Sequence, residues 1–153
     1  MGYRRDSPCR RRFEAVSEEH VTIRVVRDQR APMRHEIHIG RNSLVSDLSV
    51  EEGGDGSGPN PHDLYDTALG ACTALTVLWY AKHKSIPVEG IEVSVERDAS
   101  QERAGIYRLS AALMLTGDLS AAQREELLRA AQKCPVHKLM TEVTTEISTA
   151  LSD

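Results

Sequence analysis

The stretch from Asn60 to Lys84 constrains this chain most. Asn60 is a good helix N-cap, and Pro61 suits the first helical position. The residues that follow predict a helix of about 24 residues, roughly 36 Å long at 1.5 Å per residue. From Ala68 to Trp79 that helix is apolar or small on every face. Such a helix belongs inside a protein rather than half on its surface. A chain of 153 residues is long enough to bury it in one domain without disulfide staples. Gly70, Ala71, Thr73 and Ala74 keep the helix slim around Cys72, so another backbone can approach closely there. The uncharged run Thr67 to Ala81 is 15 residues, too short for a membrane span.

The flanking segments alternate as strands do. Val21, Ile23 and Val25 share one parity, as do Ile37 and Ile39, and Asn42 to Val50 reads as a weaker third strand. Asp28 to Pro32 is a turn, and the Gly-rich stretch from Glu51 to Pro59 is a loop. Ile86-Pro87 ends the long helix. Ile91, Val93 and Val95 then mark a half-exposed strand, and Tyr107 to Thr116 another. Ser120 with Gln123 is a capping-box pattern. It opens an amphipathic helix to about Lys133, with Leu127, Leu128 and Ala131 inward; Pro135 begins a new short turn. Val143, Thr145, Ile147, Thr149 and Leu151 predict a closing strand. The fold class is α+β, with an antiparallel sheet and two substantial helices.

Charge and composition exclude several functions. Residues 1–12 hold five arginines against Asp6, a charge of +4, which leaves −8 for the other 141 residues. That acidic body argues against a nucleic-acid footprint. The six aromatic residues (four Tyr, one Trp, one Phe) are too few for base-stacking platforms. Residues 1–18 read as a basic, flexible extension, with an arm for an acidic partner as the alternative; residues 19–153 read as one domain. No apolar segment follows the early arginines, so no secretory signal is visible. Cys9, Cys72 and Cys134 are too few for a disulfide scaffold. The expectation is a cytoplasmic protein with reduced thiols.

Two cysteines carry the candidate chemistry. Cys72 lies mid-helix, where a cysteine commonly packs as a small hydrophobe. A functional Cys72 needs an Arg, Lys or His nearby to stabilise its thiolate. Cys134 precedes Pro135 at the mouth of a helical turn, where an anion is favoured, and His137 lies three residues on. The competing reading of Cys134 is a buried cysteine at a helix break. Cys134-x-x-His137 also has metal-ligand spacing, with Cys72 and His62 as further zinc ligands; a single such pair is a weak signal. No phosphate-binding or dinucleotide-binding fingerprint and no Gly-x-Ser-x-Gly elbow is present.

The segment Gly58-Pro59-Asn60-Pro61-His62-Asp63-Leu64-Tyr65, running on to Gly70-Ala71-Cys72-Thr73-Ala74, resembles the OsmC/Ohr family of osmotically inducible and organic-hydroperoxide-resistance proteins. Lys133-Cys134-Pro135-Val136-His137-Lys138 is similar to that family's second cysteine segment. The likeness covers about residues 20–151 and is greatest to the OsmC-like redox-protein branch. It implies an intertwined homodimer whose antiparallel strands wrap around two central helices. It also implies a cytoplasmic thiol peroxidase without a bound cofactor, acting on organic hydroperoxides in oxidative-stress defence. Cys72 would form a sulfenic acid and Cys134 would close a disulfide with it. A dithiol, either a lipoylated protein or a small thiol, would reduce that disulfide. Cys9 lies outside the likeness and is expected to be a bystander. In the family's peroxidases a Glu after the Asn-Pro pair holds an Arg over the thiolate; here His62 stands there. Asp63 or Glu52 are the substitutes for that Glu, Arg30 or Arg34 the candidates for the Arg, and a protonated His62 a further cation. The alternative function is a non-catalytic binding or redox-sensing module on the same fold.

Overall fold

The computed structural model describes residues 21–152. The expected basic extension, with Cys9, lies outside the described residues. The chain divides between Gly58 and Pro59 into two compact units.

In the first unit, β1 (Ile23–Arg27), β2 (His35–Ile39) and β3 (Asn42–Ser46) form an antiparallel sheet with β2 in the centre. Val25 faces Ile37 and Ile37 faces Leu44 across the ladders, so the alternating residues meet on one face. Gly40, at φ +59°, supplies the left-handed residue that turns β2 into β3. The third strand was expected to reach Val50, but it stops at Ser46. The cause is Asp47, whose buried carboxylate accepts the N–H groups of Leu48, Asp55 and Ser57 and the Ser57 hydroxyl. These bonds fold the Gly-rich segment back on the strand end. Gly54 lies so close to the Leu48 carbonyl that a Cβ there has no room.

Those amides hold the Asp47 carboxyl down at about 2, below its ordinary 3.8, against the opposing effect of burial. A depressed carboxylate stabilises above its unfolded pKa and loses that contribution as pH falls through the folded value. The Asp55 and Ser57 amides should therefore stay protected from hydrogen exchange above pH ~4 and lose protection towards pH ~2. In Asp47→Asn they should exchange faster already at neutral pH. Equal protection in both proteins would show that Asp47 does not hold the loop.

In the second unit, α1 (Pro61–Lys84) starts with a full capping box. Asn60 Oδ1 accepts the Asp63 N–H at 2.9 Å, and the Asp63 carboxylate accepts the Asn60 N–H at 3.0 Å. The helix ends at Ser85, which takes a left-handed conformation before Ile86-Pro87. β4 (Gly90–Asp98) and β5 (Arg108–Thr116) pair antiparallel along their whole length. α2 (Ala121–Ala131) opens on the Ser120–Gln123 capping box, and α3 (Pro135–Thr141) follows at once. Val77, Ala81, Ile86, Leu127 and Ala131 form the core, with Ile91, Leu113 and Leu115 of the hairpin packed against it. An ideal Cβ at Gly70 would stand 3.1 Å from Val95 Cγ2, so the bare glycine lets the helix seat close on β4.

Two expectations fail here. Residues 143–152 form no strand, although their alternation is clear, and Ile147 and Leu151 are 84% and 100% exposed. Alternation favours a pleated surface, but a strand needs a neighbouring ladder to take its N–H and C=O groups. Nor is α1 enclosed on every face: Leu75 and Trp79 are 68% and 62% exposed. The core of the unit covers only the side of α1 that carries Leu69, Thr73, Val77 and Ala81.

Candidate active site

Cys72 lies halfway along α1 and is half-buried; Cys134 caps the start of α3 and is fully buried. The packing of α3 on α1 brings the two thiols close enough to influence each other. Burial, and after it the neighbouring Cys134, push the Cys72 thiol up. Burial acts upward on Cys134 as well, but it is outweighed. The neighbouring Cys72, the amides of His137 and Val136 and the Thr73 hydroxyl together hold that thiol down. The Cys134 side chain makes no close capping bond to the helix. Thr76 Oγ1 stands 4.0 Å from the Cys72 sulfur, a long contact for a thiol.

Cys72 opens on a groove of about 1080 Å³ between α1 and α2. Leu75, Leu78 and Trp79 give it an apolar floor, and Lys82, Arg129 and Lys133 stand at its rim. Tyr80 Oη donates to Glu126 at 2.6 Å and ties the two helices along one side.

A second polar group stands on the other side of α1. Arg97 of β4 bonds Asp63 at 2.6 Å and Asp66 at 2.5 Å, and the Tyr107 hydroxyl donates to Asp66 at 2.9 Å. Both carboxylates hold the Arg97 guanidinium above its ordinary range. Burial and the Asp66 carboxylate push the Tyr107 phenol up to about 12. Asp63, expected as a substitute for the family Glu, does hold an arginine, but that arginine is Arg97. His62 bonds Glu102 at 3.0 Å and lies beside the Tyr107 ring, so its charge partner is that carboxylate. In the first unit, Arg30 and Arg34 both bond Asp28, and Glu52 bonds Ser49. Asp28 is held well below the ordinary carboxylate range, chiefly by Arg30. Among the described residues no three His, Cys, Asp or Glu side chains gather as metal ligands, and the zinc set of Cys72, Cys134, His62 and His137 is not assembled.

Sequence reasoning missed Arg97, Asp66 and Tyr107. One signal was available: Arg97 continues the parity of Ile91, Val93 and Val95, which places a charged residue at the end of an inward-facing stripe.

The family model described as OsmC-like protein matches residues 54–148, which include both cysteines. This chain belongs to the OsmC-like family. Solved structures agree with this OsmC-like protein in fold. An OsmC-like protein from Mycoplasma pneumoniae superposes with a TM-score of 0.67 at 16% identity, over 82% of this chain and 90% of that one. The organic hydroperoxide resistance protein OhrB of Bacillus subtilis gives 0.55 at 24% identity, over 80% and 91%. An organic hydroperoxide resistance protein OsmC from Legionella pneumophila gives 0.59 at 21% identity, over 82% and 92%. No curated protein matches the sequence. No described helix of this member is long and apolar enough to cross a membrane.

Proposed function

We propose that this OsmC-like protein is a two-cysteine thiol peroxidase for organic hydroperoxides. The observation that carries this reading is a half-buried thiol lining a large, mainly apolar groove, with a second, buried thiol near enough to influence it. An apolar floor favours an organic hydroperoxide over hydrogen peroxide, because burying the organic group contributes about 25 cal/mol per Å². Cys72 attacks the terminal peroxide oxygen and becomes a sulfenic acid; Cys134 displaces hydroxide from that sulfur and closes a disulfide. A dithiol, lipoylated or small, returns both thiols. The reading places the protein in a reducing cytoplasm. It also makes the protein a homodimer, in which a second copy covers Leu75 and Trp79 of α1 and gives residues 143–151 a strand to pair with.

The test is one equivalent of cumene hydroperoxide, and separately of hydrogen peroxide, added to the reduced protein. Thiol loss is followed over time and the product mapped by peptide mass spectrometry. A fast, organic-selective Cys72–Cys134 disulfide is expected. One observation favours a second reading: the leading influences on Cys72, burial and Cys134, both oppose its ionisation. Slow oxidation indifferent to the peroxide would make the protein a binding or redox-sensing module instead.

A further inference from the structure

We propose that the recess at the start of α1 binds a small, free organic cation with a methylated ammonium head. Pro61, His62, Tyr65, Glu102 and Tyr107 line this recess of about 350 Å³. It lies wholly in the second unit and shares no lining residue with the Cys72 groove. Three of its walls are rings. His62 and Tyr65 stand three residues apart on α1 and so share one face of the helix. Tyr107 comes from the residue just before β5. Its ring centre is 6.0 Å from that of His62 and 6.1 Å from that of Tyr65, with the planes inclined by 42° and 68°. Rings inclined in this way form angled walls rather than a flat stack. Two of the three are pinned: His62 Nε2 donates to Glu102 at 3.0 Å, and the Tyr107 hydroxyl donates to Asp66 at 2.9 Å. Tyr65, 48% exposed, forms the open side.

The surrounding charges select the sign of the ligand. Glu102 lines the recess, and Asp63 and Asp66 lie behind it on α1, where both bond Arg97. Three carboxylates against one guanidinium leave a local charge of −2, and a protonated His62 still leaves −1. Arg103 is exposed and does not line the recess. The positive end of the helix is not left open to repel a cation, because the Asp63 carboxylate accepts the Asn60 N–H and the Asn60 side chain accepts the Asp63 N–H.

Rings and carboxylate together narrow the class of cation. A hard metal ion calls for several oxygen ligands, and the recess offers the single carboxylate of Glu102. A methylated ammonium spreads its charge over methyl groups, which pack on ring faces and are drawn by the negative face of each ring. A headgroup that carries phosphate beside the ammonium would set a further negative charge against Glu102, Asp63 and Asp66. That repulsion favours a free cation over a phosphocholine lipid.

The test titrates the full-length protein at constant ionic strength while NMR follows the tyrosine ring signals. The probes are choline, phosphocholine, and the uncharged carbon analogue of choline in which a tert-butyl group replaces the trimethylammonium. Choline should shift the Tyr65 and Tyr107 signals and bind about tenfold more tightly than the uncharged analogue. In Tyr65→Leu, which keeps apolar bulk but loses the ring face, that preference should shrink to about twofold or less. Glu102→Gln still accepts the His62 N–H and should weaken choline about threefold, with the uncharged analogue unaffected. Equal binding of choline and the analogue, or a preference that survives Tyr65→Leu, overturns the proposal. Tighter binding of phosphocholine than of choline overturns the assignment to a free cation. Unmoved Tyr65 and Tyr107 signals, the result expected where a second copy of the chain covers the recess, overturn it as well. The readouts involve neither thiol, so they stand or fall independently of the peroxidase reading.

Discussion

Cys72→Ser is expected to lose peroxide turnover by at least about a thousandfold, the scale seen when an enzyme's nucleophile is removed. A serine hydroxyl is close to the thiol in size. It cannot attack an O–O bond at neutral pH, because it is far less nucleophilic than a thiolate. Cys134 cannot replace it, being fully buried behind Cys72. The loss should therefore come without a change in fold, checked by an unchanged unfolding midpoint. The measurement is steady-state consumption of cumene hydroperoxide with excess dithiol. Activity within a few fold of the parent would remove Cys72 from the mechanism and direct attention to other thiols of the chain.

Asp66→Ala is expected to be the most destabilising polar substitution in the second unit, by about 2–3 kcal/mol. Asp66 is buried and accepts from both Arg97 and Tyr107, so its removal strands a guanidinium nitrogen and a half-buried phenol. Asp63→Ala should cost less, about 1 kcal/mol, because that carboxylate is half-exposed and its loss removes one capping-box bond and one partly screened ion pair. Denaturant titration of the two variants would separate them; equal losses would show that burial of Asp66 does not matter. The same network predicts a change at high pH. The Tyr107 phenol is held up at about 12 against an ordinary 10. A raised pKa of this kind contributes stability that is complete below pH ~10 and is lost as the pH rises through about 12. In Asp66→Ala the phenol should fall part-way back, since burial persists after the hydrogen bond is gone. Alkaline titration by NMR reads this at Tyr107 apart from Tyr80, which Glu126 also raises.

Much of this arrangement could be read from local pattern. The Asn60 cap, Pro61 and the Ile86-Pro87 stop bracket α1 at the observed residues, and the Ser120–Gln123 box places α2. Both are properties of a few adjacent residues. The meeting of Cys72 with Cys134 followed from the family resemblance, not from spacing; their contact depends on how α3 packs on α1. Arg97, Asp66 and Tyr107 escaped because their bonds span 31 and 41 residues of sequence, and nothing local marks an aspartate on a helix as the partner of a strand arginine. His62 was read as a possible thiolate partner from its motif position, yet its nearest anion comes from the turn at Glu102, which no motif includes. The alternation at Val143 to Leu151 was read correctly as a pattern, but a pattern does not supply the adjoining strand.

The bare backbone at Gly70 fixes the phase of the long helix. Because Val95 presses where a side chain would begin, α1 seats against β4 with the face that carries Gly70. Successive helical residues turn by about 100°, so position 72 lies roughly 200° around the axis from the seat. The Cys72 sulfur is thereby aimed away from the hairpin and towards the groove by a glycine that takes no part in the chemistry. Inserting one residue between them would swing the sulfur about 100° off its partner while leaving every side chain of the site intact.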